Sequence, residues 1–494
     1  MESLPDPMNG DAFMNVPLTS VDELSPFVKS LAKVPKTGLH NPFKNPERYL
    51  ELAHVSNKAG QCLRDPDIAD FFTRLIQRVC PKSYAQARGE VDVTAQFLEN
   101  FSGDQVRFMA QSFGVSGDHM GQESRGYRWP YGPVAIITPF NFGLEIPVLQ
   151  LMGALFMGNK PVLKSDNKVS VIMEQFLLML INSCGLNPAD VDFLNSDGPT
   201  MQRLLRAAKP RNTLFTGSSR VGEILTRETK GKIKLEDAGF DWKVLGPDVP
   251  RDSNLVDYVA WQADQDAYGF SGQKCSAQSI MFMNRAWKKV DFLEKVGDLA
   301  RRRNLEDLTI GPVLSWTTEA MLAHVQELLK LKGAELLWGG KELQGHSIPS
   351  CYGAIEPTAV YVPLSTMRNQ KAFKLATKEV FGPVQVITDY NKQGINRVKS
   401  YLERMDHHLT AAIVSNDIGF QQDMLGSTVN GTTYVGMRAR TTGAPQNHWF
   451  GPAGDPRGAG IGSPEAIKLV WSCHREIIHD VGPIAEGWTT PKAT

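Results

Sequence analysis

The sequence predicts an α/β protein of more than one unit, on three observations: its length, its ordinary soluble composition, and the alternation of short apolar strands with helical segments from Gly132 onward. At 494 residues the chain exceeds the size at which one core usually keeps growing, so its length argues for about three domain-sized units. Apolar residues make up 42% and charged residues 21% of it, which sets it among globular proteins and away from disordered chains. Lys plus Arg (53) balances Asp plus Glu (53), leaving no general basic field for phosphate backbones or anionic lipid. Neither nucleic acid nor membrane is an expected partner. The richest apolar stretch, 144–157, is interrupted by Glu145 and Gln150 and falls short of the roughly 18 uninterrupted residues that a membrane span needs. Cys62, Cys80, Cys184, Cys275, Cys351 and Cys473 are scattered without a CxxC pair. This argues against a disulfide scaffold or a zinc site, and for a reducing compartment. The opening residues, MESLPDPMNGDAF, carry acids and prolines before any base and show no transit or signal pattern.

Residues 1 to about 48 are rich in Pro, Asn and polar side chains and read as an extended arm leading into a helix near 46–58. Helical patterns follow at 67–78 and 91–100, and the turn-rich, aromatic stretch 116–132 reads as a hairpin. Strands are expected at 134–138, 161–164, 191–194, 212–215 and 232–236. Helices between them fall at 146–157, 169–183, 201–208 and 221–228. Such alternation implies βαβ crossovers and a largely parallel sheet, with ligands at the carboxyl ends of its strands. A second α/β series begins near Asn254, with a helix to Tyr268, a strand at 279–283 and a helix at 290–303, and continues to about Thr433. The Gly/Pro-dense tail from Asn447 reads as a shaped loop before a final segment, 467–479. No internal repeat is present.

Four segments hold residues able to do chemistry. Cys275, in SGQKCSAQS, lies on a connection between helix and strand, where nucleophiles tend to sit; taken alone, a single cysteine reads first as a small core residue. Asn141, in TPFNFG, follows a strand and precedes a buried helix, so its amide could serve an oxyanion or simply cap the helix. Glu236 ends the strand KIKLE, as a general base or as a solvated edge residue would. FTGSSRVG, 215–222, is a strand, a Gly/Ser turn and a helix start, offering N–H groups to a phosphate without the GxGxxG fingerprint or the Walker lysine. Adjacent His407 and His408 point apart on any regular element and lack companions, so no metal site is expected.

In order along the chain, TPFNF, FTGSSRVG, KLE, GQKC and EVFGPV resemble the motif series of the aldehyde dehydrogenase superfamily, from about residue 40 to the end. The resemblance implies an aldehyde dehydrogenase fold: a Rossmann-like cofactor domain (1–114 with 132–246), an α/β catalytic domain (247–446), and a strand-hairpin extension for oligomerisation and substrate anchoring (115–131 with 447–494). It implies NAD as cofactor, Cys275 as nucleophile, Asn141 with the Cys275 N–H as oxyanion hole, and Glu236 as general base. Cofactor positions carried over are Thr138, Pro139 and Phe140, then Lys164 for the adenosine ribose, Gly217, Ser218 and Val221 at the pyrophosphate, and Glu379 and Phe381 at the nicotinamide end.

GQKCS, PFNF and the tail HWFGPAGDPRGAGIGSPEAIKLVWSCHREII are similar to the plant-type Δ1-pyrroline-5-carboxylate dehydrogenases within that superfamily. That similarity implies L-glutamate γ-semialdehyde as a small-molecule substrate, with Phe142 lining its site and Ser276, Gly458 and Ala459 holding its α-carboxylate through a hydroxyl and backbone N–H groups. It further implies a homodimer or dimer of dimers, and the mitochondrial matrix, or otherwise the cytoplasm. Two departures stand out. After Glu236 the chain reads DAGFDWK where the superfamily has a Gly-Gly-Lys turn, and Asn167 stands where NAD-preferring members carry a ribose-binding Glu. A nucleotide-independent cysteine hydrolase using Cys275 and Glu236 is the alternative from another class.

Overall fold

The computed structural model describes residues 1–237, 239–443 and 448–494. Its strands, in chain order, form four sheets. The arm expected at the start is a folded hairpin, β1 (Glu2–Pro5) with β2 (Ala12–Val16), followed by the helix Ser25–Ala32. A helical layer comes next. Pro66–Val79 begins at a proline with the Asp65 carboxylate accepting from the Asp67 and Ile68 N–H groups, and Tyr84–Asn100 begins under Ser83, which accepts from Gln86. Both are N-terminal signals of the usual kind.

The antiparallel pair β3 (Gln111–Ser116) and β4 (Gln122–Pro130) is the expected hairpin. It starts several residues early, so a boundary at 114 would cut β3. Every residue of β3 is exposed, and its alternation is confined to Phe113 and Val115.

The first large sheet is all parallel: β5 (Pro133–Ile137), β6 (Lys160–Lys164), β7 (Asp192–Phe193), β8 (Asn212–Thr216) and β9 (Ile233–Glu236), in the order β7-β6-β5-β8-β9. Between β5 and β6 runs the helix Glu145–Phe156, in which 11 of 12 residues are buried, as its apolar surface on all sides requires.

The second sheet takes β10 (Asp241–Leu245), β11 (Gln278–Asn284), β12 (Glu335–Trp338), β13 (Thr358–Tyr361), β14 (Val384–Tyr390), β15 (Thr410–Val414) and β16 (Thr432–Val435). Their order is β12-β13-β14-β11-β10-β15-β16, parallel except for β12 against β13. A boundary at 246 therefore falls too late, because β10 pairs with β11 and β15. The sequence hides β10 because a lysine stands at the centre of DWKVL. Lys243 is fully buried and pairs with Asp266 at 2.7 Å, and Asp266 also accepts from Thr441 N and Thr442 Oγ1. The junction expected at 446/447 lies outside the described residues.

The final segment is a helix, Pro464–Trp471, running into β17 (Ser472–Asp480), which pairs with β4 to give the order β17-β4-β3. Asn159 holds this extension to the first sheet: its Oδ1 accepts from the Tyr131 and Gly132 N–H groups, and its Nδ2 donates to the Trp471 carbonyl. No helix among the described residues is long and apolar enough to cross a membrane.

Candidate active site

Three of the chemical segments, and Lys164 with them, sit where a parallel sheet presents its carboxyl ends. Asn141 follows β5, Lys164 ends β6, Gly217 follows β8, and Glu236 ends β9. The second sheet meets them with its amino ends instead, since Cys275 precedes β11, and Glu379 and Phe381 precede β14. The rule that ligands gather at carboxyl ends holds for the first sheet only.

Cys275 is presented by a tight left-handed turn. Phe270, Ser271 and Gly272 have φ of 55°, 53° and 68°, and a Cβ on Gly272 would lie 2.2 Å from the Gly382 carbonyl oxygen. Two consecutive non-glycine residues in that region store strain that the surroundings must hold. Gln273 does part of this, donating to the Pro312 carbonyl at 3.0 Å and accepting from Leu314 N at 2.8 Å. Cys275 itself is half-buried.

Asn141 does not cap the following helix, which begins four residues later. The N–H groups of Leu144 and Glu145 donate instead to Glu90 Oε1, at 2.8 and 3.4 Å. Asn141 Nδ2 donates one hydrogen to the Gln273 carbonyl, two residues before Cys275, at 3.1 Å. Its second hydrogen makes no hydrogen bond among the described residues. From the other side, Lys82 Nζ donates to the Asn141 carbonyl at 2.8 Å and to Glu90 Oε2 at 2.9 Å, and lies 4.0 and 4.7 Å from the Phe270 and Phe142 ring centroids. Sequence reasoning missed Lys82 and Glu90, which carry no local signal and lie more than fifty residues from Asn141.

Burial dominates the electrostatics. Glu236 is 1% exposed, and neither of its oxygens has a well-formed hydrogen bond among the described residues. Desolvation, then Asp237, pushes its pKa up to about 8, offset in part by the nearby Cys275 thiol. Glu379 is pushed up to about 8 by burial and Asp237. The Cys275 thiol is raised by burial and then by Glu236 and Asp241, so it is held as the thiol until a base or a cation offsets those charges. Asp241, with Oδ1 accepting from Thr410 N, is likewise raised by burial. The turn after Glu236 therefore does not carry its carboxylate away from Cys275. Gly239 lies within that turn, where a Cβ would fall 2.7 Å from Glu379 Oε1 and 2.9 Å from the Cys275 carbonyl oxygen. The pattern did not single this glycine out.

Several of the expected cofactor positions touch one another. Thr138 N donates to the Lys164 carbonyl at 3.0 Å, and Pro139 leads into Phe140, whose ring meets Phe381 edge-on at 6.0 Å. Ser218 occupies the cap position of the helix Ser219–Glu228 without a capping side-chain bond, next to Gly217 and with Val221 in the first turn. Gly217 N donates to the Glu236 carbonyl at 3.2 Å and Val221 N to the Ser218 carbonyl at 3.0 Å, so the N–H groups of Ser219 and Arg220 are those the helix start offers to a phosphate. With the Lys164 ammonium and the Glu379 carboxylate, their chemistry suits a dinucleotide.

The loop holding Gly458 and Ala459 extends the first sheet. Leu235 N donates to the Arg457 carbonyl at 2.8 Å and Ala459 N to the Leu235 carbonyl at 2.9 Å, one residue from Glu236. Arg457 fixes the loop through Asp455, Glu223 and Thr226. Here one expectation needs correction. Gly458 N is taken by the Asp455 carbonyl, so neither Gly458 nor Ala459 has a free N–H for a carboxylate. Both residues still stand beside the base. Ser276 is 6% exposed with no hydrogen bond from its hydroxyl among the described residues, and Phe142 packs edge-on against Phe270 at 6.0 Å. No group of three or more metal-ligating side chains occurs among the described residues, His407 and His408 included.

A thiol beside a buried carboxylate, an amide held on the carbonyl two residues before the thiol, and a Gly/Ser helix start after β8 fit an enzyme that oxidises carbonyl compounds through a covalent cysteine intermediate. The sequence profile of the aldehyde dehydrogenase family matches residues 47–455, and the chain belongs to that family. It is 63% identical over 493 residues, all of this chain and 88% of the relative, to Delta-1-pyrroline-5-carboxylate dehydrogenase 12A1, mitochondrial, of Arabidopsis thaliana. A probable aldehyde dehydrogenase of Linum usitatissimum is also 63% identical, over 99% of this chain and 88% of its own length. Among solved structures, aldehyde dehydrogenase 21 of Physcomitrella patens in complex with succinate has a TM-score of 0.81 at 17% identity, covering 98% of this chain and 95% of its own. A bifunctional proline utilization A protein gives 0.79 at 20%, covering 96% of this chain and 46% of its own. At these identities the structural likeness concerns the fold.

Proposed function

We propose that the protein oxidises L-glutamate γ-semialdehyde, the open form of Δ1-pyrroline-5-carboxylate, to L-glutamate, with NAD⁺ as electron acceptor. The observation that carries this reading is the meeting of Cys275, Glu236 and Asn141 beside the phosphate turn, in a chain 63% identical along its whole length to the Arabidopsis relative.

Cys275 attacks the aldehyde carbon, and the thiohemiacetal oxygen takes the free Asn141 hydrogen and the Cys275 N–H. Glu379 and Phe381 would hold the nicotinamide end of the cofactor, which would supply the hydride acceptor for this oxidation. Glu236, ionised, takes a proton from the water that attacks the resulting thioester, and glutamate leaves. Ser276 supports the substrate's α-carboxylate through its hydroxyl. Gly458 and Ala459 shape that end of the site, because their lack of bulk lets the loop lie beside Glu236, and Phe142 covers the aliphatic part.

Substrate identity is tested by comparing glutamate γ-semialdehyde with succinic semialdehyde, which lacks the amino-bearing α-carbon and is one carbon shorter. The expected outcome is a preference of about tenfold or more in kcat/KM, the scale of one or two lost polar contacts. Equal turnover of both removes the substrate assignment and leaves the dehydrogenase.

The mitochondrial name of the Arabidopsis relative supports a mitochondrial matrix location. A homodimer, or a dimer of dimers, is supported by the sheet β17-β4-β3. Its outer strand β3 is exposed throughout, with Val115 open on it and Met120 in the turn after it, and Ile478 lies open on the other outer strand, β17. Such an edge invites pairing with another copy. Light scattering that returned the mass of a single 54.7 kDa chain at micromolar concentration would contradict it.

A further inference from the structure

The N-terminal hairpin brings an acidic side chain to the end of β6. Glu2 Oε2 accepts from Asn167 Nδ2 at 2.9 Å, three residues after Lys164 closes the strand. The hairpin is anchored on both units. Leu4 and Asp6 are buried, Asp6 pairs with Arg78 of the helix Pro66–Val79, and the Arg78 guanidinium lies 4.3 Å from the Phe13 ring centroid. Phe13 and Met14 pack against the core that includes Ile348 and Tyr352. Glu2 is thus held by a folded element at this corner.

The other charges at this corner are engaged. Lys168 pairs with Asp166 at 3.5 Å, Lys164 Nζ donates to the Ser165 carbonyl at 3.0 Å, and Asp197 caps Thr200 N at 2.7 Å. Glu2 forms no ion pair among the described residues, and its hydrogen bond there is to a neutral amide. In parallel dinucleotide-binding sheets, the strand that follows the first helix ends beside the adenosine ribose. A carboxylate at that point accepts the 2′-hydroxyl and repels a 2′-phosphate. Here the succession β5, Glu145–Phe156, β6 supplies the strand, and the local position after it holds Asn167, which carries no charge.

We propose that Glu2 supplies that carboxylate from the N-terminal hairpin, accepting the ribose 2′-hydroxyl and excluding a 2′-phosphate, and is therefore the residue that sets NAD⁺ over NADP⁺. This rests on the dinucleotide reading of the site given above. Asn167 positions the carboxylate and contributes no discrimination of its own.

The test is equilibrium binding, followed by tryptophan fluorescence of the full chain titrated with NAD⁺ and NADP⁺, without aldehyde. Glu2→Gln keeps the acceptor for Asn167 and the hairpin anchors, so its thermal unfolding should match the parent. It is expected to tighten NADP⁺ by about ten- to thirtyfold and to leave NAD⁺ within about threefold, the scale of one charge removed near a phosphate. Adding Asn167→Glu to Glu2→Gln should restore the discrimination. Unchanged NADP⁺ affinity in Glu2→Gln overturns the role of Glu2 while leaving the dinucleotide site intact. Failure of the parent protein to bind either dinucleotide overturns both readings.

Discussion

Cys275→Ser is expected to abolish turnover, by at least about 10⁴-fold in kcat, while dinucleotide affinity and thermal unfolding stay close to those of the parent. The substitution is nearly isosteric in a half-buried turn, so neither the left-handed path through Phe270, Ser271 and Gly272 nor the Gln273 contacts should change. What changes is the nucleophile. A thiol, even one raised by burial and by Glu236, is intrinsically strongly nucleophilic, whereas a serine hydroxyl lies far above the reach of a carboxylate pushed up to about 8. Rapid mixing with aldehyde and NAD⁺ should show neither steady turnover nor an initial burst of reduced nicotinamide. A persisting burst would mean that another group attacks the substrate.

Glu236→Gln should separate the two halves of the reaction. Steady turnover is expected to fall by about 10² to 10⁴, the usual contribution of a positioned base. The burst of about one reduced nicotinamide per subunit should survive. It survives because amidation removes the largest neighbouring charge that holds the Cys275 thiol up, so attack and oxidation remain possible while hydrolysis stalls. The same residue sets the pH profile. With its pKa pushed up to about 8, Glu236 is protonated and unable to accept a proton below that value, so kcat should rise with pH through about 8 and level off above it. In Glu236→Gln that inflection should disappear. Loss of the burst together with turnover would instead make Glu236 the base for the thiol.

The candidate site residues were legible because short motifs place them at the ends of predictable elements: TPFNF after β5, KLE at the end of β9, GQKC before β11. What the sequence concealed depends on distant partners. DWKVL does not read as a strand until Asp266 is seen to neutralise Lys243. The clamp on Asn141 needs Lys82 and Glu90, on an earlier helical layer, and Gly239 matters only because Glu379 and Cys275 approach it from far along the chain. The carboxylate-holding N–H groups expected at Gly458 and Ala459 are spent on Asp455 and Leu235, because the loop continues a sheet edge instead of forming an isolated turn. Glu2 could not be placed from sequence, since an acidic residue in an apparent arm has no address until the hairpin docks.

The most direct test of the central claim is to quench Glu236→Gln a few turnover times after mixing with NAD⁺ and glutamate γ-semialdehyde, then weigh its peptides. The expected result is a glutamyl thioester on the peptide bearing Cys275, near one per subunit and absent when NAD⁺ is omitted. An unmodified Cys275 peptide alongside product formation, or acylation of a different cysteine, would contradict the mechanism.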